Sequence, residues 1–180
     1  MCDLNVIDEY LRNIDITRNN RWVAASMVAS KIETFMLIPL QGIGKLDSKL
    51  VVADNNFLSK KELSPLFDGL DEHITLSYLW VLGAYELVRT LEQSARDGNI
   101  YLVQYKEDLK ELKQMFARVR IPLAKFEAAG KHKRTDSNIA YPGYNTELGV
   151  AWQVTKETWI SRRELSDGML QLLETIRSTL

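Results

Sequence analysis

The sequence predicts a mainly α fold: a single-domain helical bundle over residues 1–180, with about five to six helices and a short β-hairpin near residues 147–160. Three observations lead there. Apolar residues recur at three- and four-residue spacing through several long stretches, and the pattern changes to alternation only around residues 147–160. Hydrophobic residues make up 46% of the 180, enough for one core that buries roughly 70% of the surface an unfolded chain would expose. No internal repeat or low-complexity segment interrupts this pattern.

Leu4, Ile7, Leu11 and Ile14 fall at helical spacing behind Asp3 as an N-cap, which predicts a first amphipathic helix ended by Asn19-Asn20. Trp22, Ala25, Ala29, Ile32 and Met36 then form one stripe of a second helix, with Pro39, Gly42 and Gly44 expected to close it. Gly42-Ile43-Gly44-Lys45 lacks the preceding strand and the spacing of a phosphate loop, so a turn is expected there. Further on, Leu50-Val51-Val52 reads as a short strand, and Ser59-Lys60-Lys61-Glu62 reads as a capping box opening a short helix near Pro65.

Residues 75–95 carry Leu76, Leu79, Trp80, Gly83, Leu87 and Leu91 on one face, while Tyr78, Val81, Leu82, Tyr85 and Val88 fill much of the rest. A helix apolar nearly all round is expected at the centre of a bundle. After Asp97-Gly98, the residues Leu102, Tyr105, Leu109, Leu112, Phe116, Val119, Leu123 and Phe126 alternate strictly by three and four, as in a coiled-coil seam. Pro122 disfavours helical geometry at Ile121, so a kink or break is expected, with Gly130 as the C′ stop. Tyr141-Pro142-Gly143-Tyr144 has the composition of a type II turn leading into the hairpin. Residues 147–155 and 158–160 supply the hairpin strands around Lys156-Glu157. Ser161-Arg162-Arg163-Glu164 has capping-box spacing and opens a last helix with Leu165, Met169, Leu172, Leu173, Ile176 and Leu180 on one face.

Charged residues are 26% of the chain and the net charge is −1, which excludes nucleic-acid binding by bulk charge and requires any basic contact to be local. Cys2 is the lone cysteine, so neither an intrachain disulfide nor a thiolate metal cluster can form, and a reducing compartment is expected. Asp3, Asp8 and Glu9 interrupt the apolar start that a secretory signal would need, and no window approaches the 18 or so apolar residues of a membrane span. The expectation is a cytoplasmic protein with no membrane partner.

Residues 119–163 are where helical periodicity lapses, and irregular polar stretches inside compact domains are commonly functional or disordered. Residues 106–134 hold nine basic side chains against four acids, an excess of five. Lys106, Lys113 and Arg120 share one heptad position beside the seam. That stripe suits an acidic partner helix or a phosphate backbone, or else a solvated face whose lysine stems cover the core. Lys131-His132-Lys133-Arg134 follows the expected helix end, where the dipole favours cations. With Tyr141, Tyr144, Trp152 and Trp159 downstream, the run also resembles in composition a nucleic-acid surface of basic groups and stacking rings. The candidate binding residues are thus Arg118, Arg120, Lys131, His132, Lys133, Arg134, Tyr141 and Tyr144.

Glu86 and Arg89 interrupt the apolar central helix at i,i+3 spacing. They form either a structural ion pair or the polar floor of a pocket covered by the loop of residues 131–145, with His132 as the third catalytic candidate. His73, beside Asp71 and Glu72, is expected to be an exposed helix-start residue with Asp71 or Thr75 as the N-cap. Two histidines without HExxH or an Asp-rich loop give no metal site, and no cofactor motif is present. Small helical bundles that cut RNA often carry an Arg and a His four to six residues apart. The nearest approach here is Lys125 to His132, with the wrong cation and a longer gap. The expected function is a binding or accessory module engaging a partner protein or nucleic acid through a basic loop and helix face. The alternative is an enzyme acting on an anionic small molecule or RNA through Glu86, Arg89 and His132. A third reading is a homo-oligomer paired through the seam over residues 102–126.

Overall fold

The computed structural model describes residues 13–59 and 69–180. The expected first helix, apart from Ile14, and the capping box after Ser59 lie outside these residues. Six α-helical segments are present among the described residues: α1 (Ile16–Ser26), α2 (Ala29–Ile32), α3 (Leu37–Ser59), α4 (Leu70–Arg96), α5 (Lys106–Lys125) and α6 (Arg162–Ser178). A three-stranded antiparallel sheet, β1 (Tyr141–Asn145), β2 (Gly149–Gln153) and β3 (Trp159–Ser161), joins α5 to α6. The fold is mainly α with a small β element, as the periodicity predicts.

α1 begins earlier than expected, because the Asp15 carboxylate accepts the Arg18 amide at 2.9 Å and caps it, and the helix runs straight through Asn19-Asn20. The largest departure is α3. Pro39 falls in its first turn, where a missing N–H costs nothing, and Gly42, Gly44 and Leu50-Val51-Val52 are all helical. Neither the turn nor the strand expected there forms. A side chain at position 44 would run into Trp22, so this glycine serves close helix packing rather than chain reversal. α4 starts behind Gly69, whose φ of 81° is left-handed, and not behind Asp71 or Thr75.

α5 continues through Pro122 without a break, since the proline sits in the last turn. Phe126 ends the helix with a left-handed φ of 56°, and its amide donates to the Pro122 carbonyl at 3.2 Å. Gly130 is not the stop; it opens a short 3₁₀ turn, Gly130–His132. The seam of α5 (Leu109, Leu112, Phe116 and Val119) is buried in the chain's own core against α4 and α6.

The expected hairpin is β2–β3, with Ala151 opposite Ser161 and Trp152 opposite Ile160. Tyr141-Pro142-Gly143-Tyr144 is strand β1, not a turn, and pairs with β2 in the register Pro142 to Trp152. β1 lies at the sheet edge, which is where a proline lacking an N–H can be accommodated. Trp152 and Val150 turn into the core with Trp22, Trp80 and Phe116. The capping box forms as predicted: Ser161 Oγ accepts the Glu164 amide at 3.0 Å and Glu164 accepts the Ser161 amide at 2.8 Å.

Candidate functional site

Charged side chains gather in two places. The first is in the core, where α3 carries Asp47 and, two helical turns on, Asp54. Asp47 accepts from Arg18 Nε at 2.5 Å, from Arg162 Nη1 at 2.5 Å and from Trp22 Nε1 at 2.8 Å. Asp54 pairs with Arg162 Nη2 and with His73 Nε2 at 2.7 Å. A carboxylate only accepts, so that histidine nitrogen carries the proton. Arg18 reaches on to Ser166 Oγ and Asp167, each at 2.6 Å. Gly149 has a φ of 82° and no room for a Cβ beside the Asp54 carboxyl, which lets β2 close over this helix.

Burial alone would push the Asp54 carboxyl up, but the hydrogen bond from His73 and the charge of Arg162 hold it below the ordinary carboxylate value. Arg18 is likewise opposed by burial and held above the ordinary guanidinium value by Asp47 and Asp167. The Tyr144 hydroxyl donates to the Asp54 carbonyl at 2.9 Å. Burial and then the Asp54 charge push this phenol well above its ordinary value, so it stays a neutral donor. His73 is therefore not an exposed helix-start residue: it is buried and stacked on Phe57, with ring centroids 5.3 Å apart.

The second gathering is a groove of about 480 Å³ between the end of α4, the outer face of α5 and the Gly130–His132 turn. Arg96, Lys106, Lys110, Lys113, Lys131 and His132 line it together with two carboxylates, Glu92 and Glu107. Glu92 is buried and holds Lys113 at 2.6 Å and Arg96 at 3.2 Å. Glu107 pairs with Lys110 at 2.5 Å. The Lys110 hydrogen bond and charge hold the Glu107 carboxyl below its ordinary value, and Lys106 and Lys131 add to the effect. Lys106 and Lys131, 25 positions apart in sequence, thus line one groove. Among the described residues, Lys106 and Lys131 have no ion-pair partner. Ala117, Ile121 and Ala129 supply an apolar wall.

No known protein family, curated protein or solved structure matches this chain. The groove is therefore interpreted from its own residues.

Of the residues singled out from sequence, Lys131 and His132 enter the groove, and Lys133 and Arg134 are exposed beside it. Arg118 is bound in both directions by Asp136, at 2.8 and 3.0 Å. Arg120 turns to Glu86 at 3.2 Å and lies 5.0 Å above the Tyr85 ring. Both arginines tie the protein to itself. Glu86 and Arg89 pair at 2.8 Å, both about half exposed, and are not among the residues lining the groove that holds His132. Tyr141 lines a shallow cleft beside Gln153 and Lys156, while Trp152 is in the core and Trp159 covers Gly143. The groove has no Phe, Tyr or Trp among its lining residues and the His132 imidazole is the one ring that lines it, so the expected interleaving of basic groups with Tyr and Trp rings is not formed there. Lys113, Lys110, Arg96 and Glu92 complete the site, and the basic stripe of α5 gave the sequence signal for the first of them. Among the described residues, no group of His, Cys, Asp and Glu is placed to hold a metal ion, and no helix is long and apolar enough to cross a membrane.

Proposed function

We propose that the chain is a binding module that holds an anionic group of a partner in the groove formed by α4, α5 and the Gly130–His132 turn. The observation that carries this reading is the uncompensated charge. Five lysine and arginine side chains face two carboxylates, and both carboxylates are already paired, which leaves Lys106 and Lys131 unmatched. Paired surface charges add little to stability, and two ammonium groups without an ion pair on the lining of one groove favour an incoming anion. The lining residues include no Ser, Thr, Cys or Tyr, so no hydroxyl or thiol nucleophile is placed here.

The test is equilibrium binding, by fluorescence anisotropy, of a labelled oligoglutamate and a labelled single-stranded RNA at several salt concentrations. Binding of at least one should weaken steeply with salt. Joint replacement of Lys106→Glu and Lys131→Glu should abolish it. Retention of full binding in that variant would remove the groove from the function.

A further inference from the structure

We infer that the anion recognised by this groove is a phosphate monoester; the inference rests on the groove being the binding site. Counting Glu92 and Glu107 against the five cations leaves three positive charges in excess within about 480 Å³. A single carboxylate brings one negative charge. A phosphate monoester brings about 1.5 to 2 near neutral pH on three strong acceptor oxygens, which matches two unmatched ammonium groups more closely.

The donor types point the same way. Arg96 is tied to Glu92, so no guanidinium fork is free to clasp a planar carboxylate. What remains is Lys106 and Lys131 as compact point charges, with His132 on the groove lining as a further nitrogen donor. Point charges of this kind suit the tetrahedral oxygens of phosphate. Phe, Tyr and Trp are absent from the lining, which leaves little of the stacking that holds single-stranded nucleic acid through its bases. The wall of Ala117, Ile121 and Ala129 accepts the short apolar body that carries the phosphate. The ester can be borne by a phosphorylated protein side chain or by a small metabolite, since both present the same group.

The experiment is a titration of the full chain, followed by amide NMR shifts at fixed ionic strength, with phenyl phosphate, phenyl sulfate and benzoate. Phenyl phosphate should bind roughly tenfold more tightly than either of the others and shift the amides around residues 106 and 131. The variant with Lys106→Met and Lys131→Met should keep its fold by circular dichroism and lose that preference. Benzoate binding as tightly as phenyl phosphate, with the lysine dependence intact, would overturn the phosphate assignment and leave anion binding standing. No lysine-dependent shift with any of the three would overturn both. A phosphoserine pentapeptide and glycerol phosphate then separate the two sources: tighter binding of the peptide assigns a protein ligand, and the reverse assigns a metabolite.

Discussion

Asp47, Asp54, Arg18 and Arg162 sit together in the core with two negative and two positive charges, each directed at a partner, whereas Lys106 and Lys131 sit at a groove with charge left over. In the interior cluster every carboxylate oxygen is met, because an unmatched one would be costly to desolvate, and Arg162 Nε is left without a partner. The groove is under no such constraint, because water screens it. Charge density by itself therefore separates the two poorly. What separates them is whether the charge is cancelled within the chain, and by that measure the cluster binds the protein to itself and the groove is available to something else.

The comparison breaks most readily at Arg162, which is fully buried and joins α6 to both aspartates of α3. Arg162→Ala leaves two buried carboxylates short of a partner and should cost about 3–5 kcal/mol, read as a lower urea midpoint. A variant as stable as the parent would mean that the cluster does not hold the fold.

Gly44→Ala is expected next, at about 1–3 kcal/mol, because the added methyl meets Trp22, whose indole N–H serves Asp47. The same denaturation series measures it.

Acid should weaken the cluster. The Asp54 carboxyl is depressed in the folded protein, so its contribution is present above the ordinary carboxylate pKa of about 3.9 and is lost as pH falls through the lower folded value. Asp54→Asn should therefore be less stable than the parent at pH 7, and the gap should narrow at pH 3. A gap that stays constant would show that the Asp54 charge is not what matters.

At the other end, Lys106→Glu with Lys131→Glu should change the urea midpoint by no more than about 0.5 kcal/mol in stability while removing anion binding. Smallest of all is Arg89→Ala, expected to leave the urea midpoint where it is because its pair with Glu86 is half exposed. A large loss there would move the polar centre of the molecule to α4.

Some of this could be read along the chain. The Ser161-to-Glu164 box predicted the start of α6, alternation predicted β2 and β3, and the basic stripe with Lys131 and His132 pointed to the groove. Other parts could not. Pro39 and two glycines read as a helix end, yet they lie inside α3, because a first-turn proline loses no bond and Gly44 lets Trp22 pack against the helix. Pro142 and Gly143 read as a turn for the same local reason, yet β2 recruits them as an edge strand. Arg118 and Arg120 were indistinguishable from the free lysines until Asp136 and Glu86 came alongside.

The sequence by itself determined the helical class, the late β element and which stretch carries surplus positive charge, because periodicity, caps and composition act over a few residues. Only tertiary structure decided which charges remain unmatched. Arg162 finds its aspartates more than a hundred positions away, and Lys131 joins Lys106 along one groove only after the chain has turned back past α5. Pairing depends on distance in space, and no local pattern in this chain encodes that distance.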